Sequence, residues 1–490
     1  MYSSAFHLGM HIVCKNGCPV VDSLDHLPPL PLLINYQYAI LTSVQDELGI
    51  YHRTAIMDMQ DHMPSLSFPV DHRYINATVS TQDELGIYHA LLLRDRVRGV
   101  VLRLPPLSLH KFLTLMDEPF PILEHLSLSC TDSENEVTPG LVLPQTFLSP
   151  NLRHLTLLGV DLPKSLSLLS STVSLVTLAL TNIRTSGYFR PKQLVARLRT
   201  HPQLEGLSIG FSIPIPRPSA ERMLLGKQGA PVTLPNLKTL IFKGVSTYLE
   251  SLVAQIRAPR LERLNITFFG QIAFALSHLS HFTSIIEGLK LPTAKILFLS
   301  DKVVITTDHH STQNYLQDGR FVLRVMCKPF DWQIDCSAQI CSALMPILSG
   351  VEELTLNYAL MMPAEWWDGE IDGTTWHDLL RSFSGLKQLH ISNSLSEELS
   401  RALQMDDIGL DPGFLPGLQE LVSDSNAPDA VRLFESFAHA RRVAGHPILL
   451  SFPRSRTRRH LTRGLNTVPV PLFGGGGEER TDQDSNLQIP

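Results

Sequence analysis

A chain of 490 residues, 43% hydrophobic and 18% charged, carries enough apolar side chain to bury a large core, which excludes an intrinsically disordered protein. Lys and Arg number 41 against 47 Asp and Glu, a formal charge of -6, so no basic field marks the whole protein for nucleic acid or an anionic membrane. No apolar run approaches the roughly 20 residues of a membrane span, so no membrane partner is expected.

Residues 1–90 read as an irregular segment. The start, MYSSAFHLGMHIVCKNGC, has no charged leading region and no clear cleavage site, so it is not a secretory signal, and a cytoplasmic or nuclear location is expected. Six cysteines, at 14, 18, 130, 327, 336 and 341, are too few for a disulfide framework and fit free thiols in a reducing compartment. Cys14 and Cys18 have a CxxxC spacing with His11 and His26 near by. Zinc sites pair more closely and come with a second pair, so these read as ordinary thiols, and neither metal nor cofactor is expected. The octapeptide QDELGIYH occurs at 45–52 and again at 82–89, an offset of 37, between unrelated flanks. A repeat fold keeps its hydrophobic frame and lets the surface drift; here charged, glycine and aromatic positions are copied while the neighbourhood is not.

A ladder of leucines occupies residues 91–452. PILEHLSL (121–128), PNLRHLTL (150–157), SLVTLAL (174–180), PQLEGLSI (202–209), PNLKTLIF (235–242), PRLERLNI (259–266), GVEELTL (350–356), GLKQLHI (385–391) and PGLQELV (416–422) fit L-x-x-L-x-[L/I], the strand signature of a leucine-rich repeat. Their first apolar positions step by 23 to 35 residues, apart from a gap of 90 between Leu261 and Val351. RVRGVVLRL (96–104) is an earlier unit, and TAKILFL (293–299) and FVLRV (321–325) are weaker ones inside the gap. A strand with apolar residues at alternate positions cannot bury its apolar face alone, but parallel stacking of neighbours makes a continuous core. Helical spacing precedes many strands, as in LHKFLTLM (109–116), QLVARLRT (193–200), YLESLVAQI (248–256), AQICSALMPIL (338–348) and TWHDLLRSF (375–383). A Pro or Gly then ends the helix and sets the turn. The expected fold is α/β, an irregular leucine-rich-repeat horseshoe (a solenoid) with one parallel strand per repeat and outer helices. The asparagine that ladders between turns in the best-known form is absent: Val160 and Ile183 occupy its place.

In such a fold the leucines are core, and recognition falls to the outward strand residues and the loops after them. The candidates for contact with a partner protein are Arg153, His154, Glu205, Lys238, Arg263, Glu353 and Lys387, a mixed-charge set. Trp366 and Trp367 join them: EWWDGEIDGTTW (365–376) reads as a long exposed loop, and tryptophans there are candidate anchors. No GxxxxGK[ST], HExxH or GxSxG occurs, so no catalytic residue is assigned and no enzyme is expected. Asp308-His309-His310 reads as loop. The helix in DAVRLFESFAHARRVAG (429–445) is expected to cap the solenoid, and 453–490 as a basic then Gly-rich disordered tail.

LPLLINYQ (30–37), DELGIYHALLLRDRVRGVVLRL (83–104) and MDEPFPILEHLSL (116–128), taken in order, resemble the region that follows the F-box in the large fungal (mushroom-type) F-box family with leucine-rich-repeat-like tails. The resemblance covers roughly residues 27–452. It implies the substrate-binding part of a cullin-type ubiquitin ligase receptor, with an unknown protein as the substrate. It departs from the family at the F-box: LDHLPPLPLLINY (24–36) has the Leu-Pro pair but no Cys…Trp helix, so a Skp-type adaptor would be a partner only if an F-box is encoded upstream. Deleting residues 45–81 restores the family's spacing, so the doubled QDELGIYH is expected to be a local duplication or a mis-spliced insertion, not a functional repeat. The alternative function is an orphan leucine-rich-repeat scaffold, or a degenerate gene product, without a ligase link.

Overall fold

The computed structural model describes residues 10–13, 32–37, 81–131, 140–214, 231–271, 273–286, 292–307, 320–358, 373–403, 414–424 and 430–452. In chain order its first half runs β1 (Met10–Val13), β2 (Leu32–Gln37), α1 (Thr81–Leu92), β3 (Val97–Leu104), α2 (Pro106–Leu115), β4 (His125–Cys130), β5 (Leu141–Val142), β6 (His154–Leu158), β7 (Val160–Asp161), α3 (Ser167–Ser171), β8 (Thr177–Ile183), α4 (Pro191–Leu198), β9 (Gly206–Phe211) and β10 (Val232–Thr233). There follow β11 (Thr239–Gly244), α5 (Ser246–Val253), β12 (Ile256–Arg257), β13 (Arg263–Phe269), α6 (Ser277–Ser284), β14 (Thr293–Phe298), β15 (Val303–Thr306), β16 (Phe321–Met326), α7 (Phe330–Ala343), α8 (Met345–Leu348), β17 (Glu353–Tyr358), α9 (Gly373–Arg381), β18 (Gln388–Ile391), α10 (Asn393–Leu403), β19 (Glu420–Ser423), α11 (Ala430–Val443) and β20 (Leu449–Ser451).

Among the described residues, sixteen strands form one sheet in the order β1-β2-β3-β4-β6-β8-β9-β11-β13-β16-β15-β14-β17-β18-β19-β20. All neighbours are parallel except the two pairs that β15 makes. The leucine signature explains the burial. In β6 and β8 the alternate residues Leu155, Leu157, Leu178 and Leu180 are at most 2% exposed, while Thr156 and Ala179 between them stay half-buried. The helices supply the other half of the core: Leu194 and Leu198 of α4, Leu249 and Leu252 of α5, and Leu379 and Leu380 of α9 pack into the same apolar cluster. A large, mostly parallel sheet with helices in its connections is consistent with a leucine-rich-repeat-like solenoid.

The stacking depends on a device that sequence spacing missed. The absent asparagine ladder has a counterpart in the Pro-Asn turns: Asn151 Nδ2 donates to Pro121 O at 2.7 Å, and Asn236 Nδ2 to Pro202 O at 3.0 Å. Ser149 Oγ adds a buried bond to Leu123 O at 2.9 Å, so these turn carbonyls find donors in the next unit.

Three expectations need correction. Residues 293–299 and 321–325 were to stack as successive parallel units, but β14 and β16 lie in reverse order, with β15 antiparallel between them. Only Leu299–Lys302 separate β14 from β15, closed by Leu299 N donating to Lys302 O at 2.9 Å. So short a link allows a hairpin and not the crossover that a parallel neighbour requires. The segment 1–90, read as irregular, contains β1 and β2, which extend the sheet beyond β3, and α1. Helix α1 contains the second QDELGIYH: Ile87, Ala90 and Leu91 are buried, Lys111 Nζ of α2 lies 3.1 Å from Glu84 Oε2, and Ser108 Oγ donates to Glu84 Oε1 at 3.2 Å. The first copy lies outside the described residues. The sheet also continues past the expected capping helix: α11 is followed by β20, which pairs with β19 at the edge.

One helix start is capped from outside. Helix α6 has no side-chain cap of its own at Leu276. Glu250 of α5, 7% exposed, accepts the His278 and Leu279 backbone N–H groups at 2.8 Å each. A carboxylate on free helix N–H groups combines charge-assisted hydrogen bonding with the helix dipole. Glu250→Ala is expected to lower stability by about 2 kcal/mol, read as a lower urea midpoint at unchanged slope.

Candidate interaction surface

The outward face of the sheet is set by the residues between the buried leucines. On β4, β6, β8, β9 and β11 one lateral row reads Ser127, Thr156, Ala179, Ser208 and Ile241, each in register with the next. Every member is half-buried, and four of the five are small, so the backbone lies close to the surface along this half of the sheet. Alongside runs the row His125, His154, Thr177, Gly206, Thr239 and Arg263. The imidazoles of His125 and His154 stack with centroids 4.5 Å apart at 14°, and His154 Nδ1 lies 3.3 Å from Thr177 Oγ1.

One residue before β4, β6, β9, β11, β13, β17 and β18 stands a charged side chain, on a regular backbone ladder. The N–H groups of Arg153 and His154 both donate to Glu124 O, those of Lys238 and Thr239 to Glu205 O, and those of Lys387 and Gln388 to Glu352 O. Side chains pair along this row: Arg98 grips Glu124 at 3.0 Å, Lys238 meets Glu205 at 2.9 Å, and Lys387 meets Glu352 at 2.7 Å. Glu353 lies 3.6 Å from His390. The structure thus brings Glu205 and Lys238 together, leaves Arg153 exposed beside the histidine pair, and sets Arg263 half-buried at the start of β13. Glu353 and Lys387 sit farther along, on the far side of the β14–β16 insertion. Exposed ion pairs of this kind are worth little. A Glu205→Ala, Lys238→Ala double-mutant cycle is expected to give a coupling below about 1 kcal/mol, measured by denaturant unfolding.

At the insertion the outward face changes character. Leu297, Val304 and Val322 form a second buried apolar cluster there, opposite the main core, and buried Arg324 donates from Nη1 to Asn265 Oδ1 at 2.5 Å. Lys243 lies over the Phe269 ring at 5.8 Å. TAKILFL and FVLRV read as repeat strands from sequence, whereas β15, which lies between them in the sheet, is buried at every position.

Trp366 and Trp367, the candidate anchors, lie outside the described residues, as does Asp308-His309-His310. Trp376, which closes EWWDGEIDGTTW and belongs to the expected helical segment TWHDLLRSF, is 1% exposed on α9 and packs against Phe298 with centroids 6.0 Å apart. Its spacing to Leu379 and Leu380 on one helical face was the signal for burial. Among the described residues the exposed tryptophan is Trp332 on α7, at 53%. Among the described residues, no group of three or more His, Cys, Asp or Glu could hold a metal ion, and no helix is long and apolar enough to cross a membrane.

Burial holds His125 and His154 below 6.5, the ordinary imidazole value; Arg98 and Arg153 add to the effect on His125, and Glu124 opposes it on both rings. Buried His201, which has Nε2 2.9 Å from Leu169 O, is lowered by burial as well. A histidine whose folded value is depressed binds fewer protons folded than unfolded, so stability is lost as pH falls through 6.5 and the loss is complete below the folded value. Unfolding free energy should therefore decline from neutral pH to about pH 5, and His125→Asn/His154→Asn should flatten that slope.

No protein-family model matches the chain, and no curated protein matches it. Among solved structures it is similar to the leucine-rich repeat-containing protein LegL7 from Legionella pneumophila, at 13% identity over 70% of this chain and 98% of that one. The TM-score is 0.28, a level at which neither an activity nor a partner carries over.

Proposed function

We propose that this protein is a non-enzymatic recognition scaffold that binds another protein on the outward face of β4 to β11. The observation that supports the reading is the row Ser127, Thr156, Ala179 and Ser208, a half-exposed floor of small side chains beside a charged margin. A partner segment lying across it would find shape from the floor and orientation from Arg153, His154, Glu205, Lys238 and Arg263. Because several charges already pair with each other, they would steer and orient more than they would hold.

Within this reading, the resemblance of residues 27–452 to mushroom-type F-box proteins supports a finer role as the substrate-binding part of a cullin-type ubiquitin ligase receptor. That role requires an F-box to engage a Skp-type adaptor. A specific observation favours the competing reading, an orphan scaffold: the doubled QDELGIYH, of which one copy is built into α1 against α2.

A photo-crosslinking residue placed at Thr156 or Ser208 tests the scaffold, with Val173 as a control, since it is 66% exposed but lies outside both lateral rows. One protein captured from the first two sites and not the third, and lost in Thr156→Arg/Ser208→Arg, supports recognition by this face. Equal capture at all three sites refutes it. Full-length transcripts reaching upstream into an F-box would favour the ligase role, and transcripts starting at Met1 with both octapeptides would favour the orphan scaffold.

A further inference from the structure

Charge is distributed unevenly along the helix side of the sheet. Lys111 on α2 meets Glu84 of α1, Arg381 on α9 meets Asp378, and Arg401 on α10 meets Glu398 at 2.9 Å. Toward both ends of the chain, then, exposed helix cations are neutralised by carboxylates of the same layer. Helices α3 to α6 differ. From Leu162 to Leu204 the sequence has no Asp or Glu, while Lys164, Arg184, Arg190, Lys192, Arg197 and Arg199 fall in that stretch. Helix α5 has one carboxylate, Glu250, which is buried in the start of α6, and α6 has none.

Lys164, Arg190, Lys192, Arg197 and Arg199 are all exposed, and among the described residues none of them forms an ion pair. Helix α4 packs between α3 and α5, and Tyr248 Oη of α5 donates to Phe189 O at 3.3 Å just before α4 begins. Arg197 Nη2 donates to Ser165 O at 3.4 Å, which sets Lys164 beside the last turn of α4. The helix dipole accounts for Arg197 and Arg199, at the end of α4. It does not account for Arg190 and Lys192. They stand at the start of the helix, where the dipole is already positive, and no acidic residue lies in the first turn. The eight residues of α4 span only about 12 Å, so these cations repel one another. Solubility asks for charge of both signs and does not call for such a cluster.

We propose that the exposed, unpaired cations Lys164, Arg190, Lys192, Arg197 and Arg199 around α4 form a second docking surface, which takes an acidic segment of a partner protein. It lies on the helix side of the sheet, apart from the face of β4 to β11, and does not rest on the role given to that face. An extended run of about four acidic residues matches the length of α4. The guanidinium groups of Arg190, Arg197 and Arg199 can each take a carboxylate with two N–H donors. Nucleic acid fits less well. Five cations on one short helix meet few phosphates, and the chain's charge of -6 opposes a long polyanion beyond the patch. Tyr188, two residues before Arg190, packs against Phe211 and Tyr248 and is not free to stack on a base.

The test is fluorescence anisotropy of the full chain with a labelled peptide of alternating Asp and Glu, and with its Asn/Gln counterpart as the neutral control. The acidic peptide is expected to bind with a Kd at or below about 100 μM at low ionic strength, weakening as salt rises, and the neutral one not to bind. Lys192→Glu/Arg199→Glu should weaken the acidic peptide at least about tenfold. Arg381→Glu/Arg401→Glu, an equal change of net charge at exposed positions on α9 and α10, should shift it less than about twofold. Equal losses in the two variants would reduce the binding to net charge and overturn the proposal, as would the absence of saturable binding. Tighter binding of a DNA duplex or of phosphatidylserine vesicles, lost only in the α4 variant, would assign the patch to phosphate and overturn the acidic-segment reading. The unaltered chain's choice among these probes decides the matter even where a variant fails to fold.

Discussion

Arg441→Ala is expected to lower stability by about 3 kcal/mol, among the largest effects of any single substitution in the last two repeats. The guanidinium is 6% exposed on α11 and meets four carbonyls: Nη1 donates to Phe414 O at 2.7 Å and Leu415 O at 3.0 Å, Nη2 to Leu418 O at 3.1 Å, and Nε to His446 O at 3.2 Å. Three of these acceptors belong to the turn before β19, where Leu415 is held at a φ of +50°. That left-handed conformation is costly for a leucine, and the fork of donors fixes the carbonyls on either side of it. Without the arginine those buried acceptors lose their donor, and α11 loses its tie to the turn. Arg441→Lys should recover only part of the loss, because one ammonium cannot span acceptors arranged for a planar fork. Burial depresses the arginine's own value, so some of the gain is already spent on desolvation. Urea unfolding of the full chain reads both variants, and hydrogen exchange at Leu449, whose N–H donates to Gln419 O, reports whether β20 loosens. A loss under about 1 kcal/mol for the alanine variant would mean that α11 is held by its apolar contacts alone.

The parts of the fold that were legible are those where one strand repeats one rule. Leu126, Leu155, Leu178, Leu207, Leu240 and Leu264 occupy the same place in successive units, and each is at most 1% exposed. Alternation and spacing suffice there because burial of one face is the only demand. The β14–β16 insertion was not legible: FVLRV and TAKILFL alternate like any repeat strand, and direction depends on the length of the link to β15, not on the strands. Helix α10 was missed although Leu395, Leu399 and Leu403 line one face, because the polar NSLSEELSRAL sequence dilutes that stripe. The candidate surface was legible by position and not by partnership. Arg153, Glu205, Lys238 and Lys387 stand exposed just before their strands, while His154, Arg263 and Glu353 are half-buried, and which charges neutralise each other is a matter of lateral register. Glu205 and Lys238 are 33 residues apart in the chain and 2.9 Å apart in space.

Gly187→Ala is expected to be as damaging as Arg441→Ala, at about 3 kcal/mol, and a second substitution should largely cancel its effect. Asp161, 2% exposed on β7, accepts from Ser186 Oγ at 2.8 Å and from Arg184 N at 3.3 Å. Burial raises this carboxyl above its ordinary value, and those two donors pull it back, so it is stabilised only while both remain in place. Gly187 packs directly on it: an added Cβ would overlap Asp161 Cγ and Oδ1 and lie 2.6 Å from its Cβ. Alanine at 187 must displace the carboxylate, and a displaced buried carboxylate loses its donors along with its place. Asp161→Gly removes every one of the clashing atoms and by itself should cost about 2 kcal/mol, through the hydrogen bonds from Ser186 and Arg184 that it loses and the freer backbone. The double variant Asp161→Gly/Gly187→Ala is then expected to be no less stable than Asp161→Gly alone, within about 0.5 kcal/mol, and not to show the sum of the two losses. Urea unfolding of the four proteins closes the cycle. An additive result would show that Gly187 is required for its backbone and not for the space it leaves to Asp161.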